Sequence, residues 1–130
     1  MQLRAEHVDG FTEHLVRWVL EATDGSATIE ASWHTAEGRV ERIFEIDFPD
    51  SQIETCATTL AKLKPKYDGC VDDFPKFLLS VTGGDHELCT RVNTGINWSE
   101  EDKAGVDAFM MVWRPIYSEV ERLLAIPNRG

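Results

Sequence analysis

The sequence predicts a single α+β domain: an antiparallel sheet of about five strands, covered on one face by a middle helix and a long C-terminal helix. Three observations indicate this class. Apolar and polar residues alternate on both sides of an Asp-Gly pair. After Pro49 the apolar residues recur at helical spacing, and a long apolar stripe lies near the end of the chain. Since no internal repeat or Gly/Ser linker divides the 130 residues, we expect one domain over 1–130.

The first strands surround Asp24-Gly25, a dipeptide that favours a two-residue hairpin turn because both central positions take positive φ. Residues 11–22 also fit helical spacing, and we favour a strand for the part next to this turn. Pairing outward from the turn sets apolar residues opposite each other: Ala22 and Ala27, Leu20 and Ile29, Trp18 and Ala31, Val16 and Trp33.

A second turn at "TAEG" returns the chain through a third strand. This register sets Glu30 opposite Ile43 and Thr28 opposite Glu45. One side of the third strand carries Val40, Arg42, Phe44, Ile46 and Phe48, and the other carries Glu41, Ile43, Glu45 and Asp47.

After Pro49, "DSQIETCATTLAKL" predicts a helix with Asp50 or Ser51 as N-cap, ending before Pro65. "KFLLSVT", "GGD" and "HELCTRVN" then predict a strand, a turn and a returning strand. The apolar face of the helix comprises Ile53, Cys56, Ala57, Leu60 and Leu63.

The C-terminal helix begins where Ser99 and Asp102 resemble a capping box. Because Pro115 lacks the amide that would bond to Met111, we expect a kink or a break into two helices near residues 111–115. The stripe stays in phase across the proline, which favours a core role on the sheet: Val106, Phe109, Met110, Trp113, Ile116, Tyr117, Val120, Leu123 and Leu124.

The chain is acidic, with 23 acidic and 13 basic residues and a net charge of −10. Residues 1–61 hold 12 of the acids and only 4 of the bases. Such a charge repels phosphate backbones and anionic lipid, so we expect neither nucleic-acid nor membrane binding. The three cysteines form no CxxC pair, and the N-terminus lacks an apolar signal segment. Both observations indicate reduced thiols in the cytoplasm.

Catalytic and metal motifs are not evident. His86 and Cys89 lie three apart, so in a strand they would point to opposite faces, which disfavours zinc with Cys56 or Cys70. Asp72 and Asp73 are interpreted as solvated turn residues, with a role in a polar site left open. We interpret the histidines at 7, 14 and 34 as surface or partly packed residues. We therefore expect no cofactor and no metal, and lean against an enzyme.

The outer face of the three-stranded unit is the candidate site. Acids surround a small aliphatic centre there, a pattern that suits a basic protein surface. The predicted partner-binding residues are Val19, Glu21, Glu30, Glu41, Ile43, Glu45 and Asp47.

Our main hypothesis is a non-enzymatic acidic module that inhibits or chaperones a basic partner. In size and acidity the chain is comparable to immunity proteins, antitoxins, phage-encoded inhibitors and secretion chaperones. Two alternatives remain open. One is a small-molecule-binding domain or small enzyme with a pocket between sheet and C-terminal helix, lined by Trp33, Trp113 and Tyr117. The other is a homodimer through the C-terminal helix.

Overall fold

The computed structural model describes residues 1–127 as one seven-stranded sheet with two helices. The strands are β1 (Gln2–Val8), β2 (Arg17–Thr23), β3 (Ser26–Thr35), β4 (Gly38–Asp47), β5 (Lys66–Asp68), β6 (Lys76–Gly83) and β7 (His86–Asn93). The helices are α1 (Asp50–Leu60) and α2 (Glu100–Leu124).

The strand order is β4-β3-β2-β1-β6-β7-β5, and every neighbouring pair is antiparallel except β5 with β7. We predicted about five antiparallel strands, and the structure corrects this to seven, because the prediction missed β1 and β5. In β1 the core-facing positions are Leu3, Ala5 and His7, which give a weak apolar signal. The other missed strand, β5, is only three residues long, and its one buried side chain is Tyr67.

The predicted hairpin registers are confirmed. Asp24 and Gly25 have φ values of 52° and 86°, as the tight turn between β2 and β3 requires. The next pairs follow in the expected order, and Glu30 lies opposite Ile43 in β4. The strand interpretation of the segment next to the turn is therefore correct from Arg17 onward.

The outermost predicted pair, Val16 with Trp33, is wrong, because β2 begins one residue later. Leu15 has a φ of 47°, which turns the chain out of the β3 register. The amide of Val16 instead donates to Asp9 Oδ2 at 3.0 Å. The loop before β2 is thus held by a side chain.

Helix α1 buries four of the five predicted apolar residues, and Leu63 is half-buried in the turn that follows. The predicted N-cap is wrong: Pro49, with extended backbone, holds that position, and Asp50 starts the first turn. The helix ends at Leu60, earlier than Pro65 would require. The predicted strands on each side of "GGD" are confirmed as β6 and β7.

Helix α2 is capped as expected, since Ser99 Oγ accepts a hydrogen bond from the Asp102 amide at 3.1 Å. We expected a kink or a break near Pro115: the break is wrong, because one helix runs through the proline, and the kink stays a prediction. Trp113 and Ile116, on either side of the proline, are both buried and hold both halves on the sheet. The stripe is core: Trp113 stacks on Trp18 of β2 and Phe77 of β6.

Candidate protein-binding face

Both helices pack on one face of the sheet, and the opposite face carries all seven residues predicted from the sequence. We call this side the open face. Its β2–β4 half comprises the side chains of Arg17, Val19, Glu21, Thr28, Glu30, Ser32, Arg39, Glu41, Ile43, Glu45 and Asp47.

An aliphatic pair lies within this half. Glu30 is the direct neighbour of Val19 on β2 and of Ile43 on β4. Val19 is half-buried, whereas Ile43 is 70% exposed. Glu45 lies in the next row of the same face, opposite Thr28. The arrangement is therefore acidic around a small apolar centre.

The open face is hollow rather than flat. A concavity of about 700 Å³ extends over β1 to β4, with Arg17, Ser32, Glu41 and Ile43 in its lining. A second, of about 520 Å³, extends over β1, β2, β3 and β6. Val19 and Glu30 line both, so they lie near the middle of a continuous curved surface.

Strand β1, which we did not predict from the sequence, changes the charge of this face. Because β1 lies next to β2, Arg4 reaches Glu21 Oε1 at 2.7 Å and Glu6 Oε2 at 3.3 Å. Arg39 similarly lies 3.5 Å from Glu41. Two of the five predicted acids are therefore partly neutralised by arginine.

The other three predicted acids are not neutralised by a neighbouring base among the described residues. Within residues 1–127, no ion pair is formed by Glu30, Glu45 or Asp47, and all three side chains are exposed. The far half of the open face has a more balanced charge, because Lys66, Lys76 and Arg91 project from β5, β6 and β7 together with Asp68 and Glu87. Negative charge is thus concentrated on β3 and the edge strand β4.

A buried polar pair was not found from the sequence. His7 Nε2 and Asp9 Oδ1 are 2.7 Å apart, with side chains only 2% and 3% exposed. Asp9 Oδ2 also accepts from the Thr12 hydroxyl at 2.8 Å and from the Val16 amide. The interpretation of His7 as a surface or partly packed residue is therefore wrong. The period-two pattern Leu3, Ala5, His7 was the signal that could have placed it inward.

The pair is walled by aromatic rings. His7 stacks on Trp18 and Phe77, with ring centroids 5.6 and 5.5 Å away, and lies 5.5 Å from Tyr117. Glu121 of α2 accepts from the Trp18 indole at 3.3 Å. These contacts join β1 and β2 to the long helix, and their burial gives them a structural role.

The alternative pocket was expected at Trp33, Trp113 and Tyr117. Trp113 is fully buried among other rings, and Trp33 is only 8% exposed, beneath the Arg42 guanidinium at 6.0 Å. A hollow of about 310 Å³ does lie between the end of β4 and the helices, but none of the three expected residues lines it. Its lining includes Leu20, Phe48, Pro115 and Glu119.

The remaining reactive side chains are dispersed. His86 and Cys89 point to opposite faces of β7, and within residues 1–127 no three His, Cys, Asp or Glu residues converge to hold a metal ion. Burial raises the pKa of the Cys56 thiol to about 11, which keeps it protonated. Asp72 and Asp73 are exposed, and the structure uses their main-chain carbonyls to accept from Lys76 and the Phe11 amide.

Comparison with known proteins adds no family assignment. No protein-family model and no curated protein matches the chain. In the part of the chain that the structure describes, neither helix is long and apolar enough to cross a bilayer. The geometry of the open face therefore carries the functional proposal.

Proposed function

We propose that this protein is a non-enzymatic, cytoplasmic binding module that inhibits or chaperones a basic partner protein through its open face. The observation that carries this proposal is the concave β2–β4 surface, where unpaired acids surround Val19 and the exposed Ile43. In size, acidity and α+β pattern the chain is comparable to immunity proteins, antitoxins, phage-encoded inhibitors and secretion chaperones.

The two kinds of side chain have different roles in binding. Glu30, Glu45 and Asp47 attract a positively charged surface over a distance of about one Debye length, so they accelerate encounter. Val19 and Ile43 lose water when the partner seats, which slows dissociation. Nucleic acid is not the proposed partner, because the net charge of −10 repels phosphate.

The test is capture of proteins from a lysate of the host on the tagged protein, at low and high salt. We expect a basic protein to be retained at low salt and released at high salt. The charge reversal Glu30→Lys should abolish retention. The matched control is Glu54→Lys, which makes the same charge change on an exposed position of α1, on the helical side of the sheet.

Association kinetics with the purified partner then decide the mechanism. Raising ionic strength from about 0.05 to 0.5 M should lower the association rate at least about tenfold while changing dissociation little. Capture of no basic protein under either condition would contradict the proposal and favour the small-molecule alternative. Loss of binding in Glu54→Lys to the same degree as in Glu30→Lys would show that net charge, and not this face, governs binding.

A further inference from the structure

The terminal strand β4 has an unpaired edge. It is ten residues long and lies at the end of the strand order, and within residues 1–127 it pairs with β3 alone. At the other end of the sheet, β5 has three residues. A long unpaired edge presents a row of backbone donors and acceptors to which another strand can pair.

The phase of the β3–β4 ladder identifies which groups are free. The Phe48 amide donates to the Gly25 carbonyl at 2.9 Å, just beyond the end of the ladder and in register with it. Hydrogen-bonded pairs alternate along an antiparallel ladder, so the backbone groups of Phe44 face β3. Those of Ile43 and Glu45 therefore point away from the sheet.

One further contact agrees with this phase. The guanidinium of Arg42 donates to the Glu41 carbonyl at 2.9 Å. This carbonyl is therefore turned away from β3 and is not used in the β3–β4 ladder. The same arginine therefore covers part of the edge at the Glu41 carbonyl.

Side chains on both sides of this edge are incompletely buried. On the core side, Val40, Phe44 and Ile46 are only partly buried against the core cluster. On the open face, Ile43 is 70% exposed and Glu45 has no ion pair among the described residues. An added strand would cover apolar surface on one side and meet negative charge on the other.

A second copy of this chain fits the edge poorly in the register centred on Ile43. Antiparallel self-pairing centred on Ile43 would place Glu41 of each copy opposite Glu45 of the other, and like charges directly opposite are destabilising. A strand with Lys or Arg at these positions replaces repulsion with attraction.

We infer that the basic partner docks by adding an extended strand to β4, with Lys or Arg side chains on the open-face side and apolar side chains on the core side. This inference rests on the proposed function, since it specifies how that partner binds. The backbone would supply affinity, and the alternating side chains would supply specificity.

The probe is a capped eight-residue peptide of alternating Lys and Val, tested with the full chain. The control is the peptide of the same length with Glu in place of each Lys. We expect the Lys-Val peptide to protect the Ile43 and Glu45 amides from hydrogen exchange. The Glu-Val peptide should leave both unchanged. The amides of Phe44 and Ile46 already lie in the β3 ladder and serve as internal references.

The variant pair is Glu45→Pro and Glu45→Ala. Both remove the same carboxylate, but only proline removes the outward amide, and proline is tolerated at such edge positions. We expect at least tenfold weaker peptide binding for Glu45→Pro than for Glu45→Ala, with similar thermal unfolding of the two variants.

Three outcomes would overturn strand addition: no amide protection by the Lys-Val peptide, equal binding by the two variants, or concentration-dependent dimers formed through β4 of the wild type. None of these would by itself contradict the basic partner, because salt-dependent capture lost in Glu30→Lys tests that proposal independently. Conversely, if the lysate yields no basic protein but the Lys-Val peptide still protects the amides, β4 binds strands and the proposed function is wrong.

Discussion

Replacing Asp9 by alanine should destabilise the fold far more than its loop position suggests. The carboxylate is 3% exposed and accepts three hydrogen bonds, from His7, Thr12 and the Val16 amide. Thr12 is exposed, so its hydroxyl can bond to water in the variant. His7 and the Val16 amide lie in the buried interior and would lose their acceptor.

The expected magnitude follows from these two groups. Losing a hydrogen-bond acceptor costs a buried polar group about 1–3 kcal/mol, so two such losses give about 3 kcal/mol when water partly fills the space. For a chain of this size each kcal/mol lowers Tm by about 3–5 °C, which predicts a drop on the order of 10 °C. Asp9→Asn should lose less, because the amide oxygen still accepts one of the two buried bonds.

Urea and thermal unfolding followed by circular dichroism measure this loss. Asp107→Ala is the control, since it removes an exposed aspartate on α2. A loss below about 1 kcal/mol for Asp9→Ala, or one equal to that of the control, would refute a structural role for the pair.

Two further predictions concern packing and thiols. Gly105→Ala should destabilise by about 1–3 kcal/mol, despite the higher helix propensity of alanine, because the new Cβ would lie 2.4 Å from the hydroxyl of the buried Tyr67; an equal or higher Tm in thermal unfolding would contradict this. At pH 8, Cys70 and Cys89 are exposed and should react rapidly with a disulfide reagent. Cys56, with its pKa raised to about 11, should react only after denaturation; three rapid equivalents per native chain would contradict the buried thiol.

Local periodicity was sufficient where neighbouring segments pair. The hairpin registers depend on the Asp24-Gly25 turn and on alternation within a few residues, and both are visible in the sequence. The stripe of α2 is equally local, which is why its core role could be predicted.

What could not be predicted depends on pairing between distant segments. β1 reads as a charged N-terminal stretch, and its place between β2 and β6 follows from contacts with residues up to about 80 positions away. The Arg4–Glu21 ion pair and the His7–Asp9 pair both require that placement. The sequence analysis therefore expected more negative charge around the aliphatic centre of the open face than the structure has, because Arg4 neutralises part of it.

Two local rules also failed, and tertiary packing explains the second. Pro49 occupies the N-cap of α1, although Asp50 and Ser51 are better capping residues. Pro115 lies inside an unbroken helix because the buried side chains around it hold both halves in place. At Pro115 the core outweighs the intrinsic preference of one residue.

The central position of β1 has a consequence for how the chain folds. The β2–β4 meander and the β6–β7 hairpin are each made of sequence neighbours, so either can form early, whereas the seam between them closes only when Gln2–Val8 inserts. Strand insertion at that seam should thus be the slow kinetic step. A fragment starting after the first strand would leave β2 and β6 without the strand between them, although Trp113 of α2 contacts both halves, and adding the missing segment as a free peptide should restore the joined sheet.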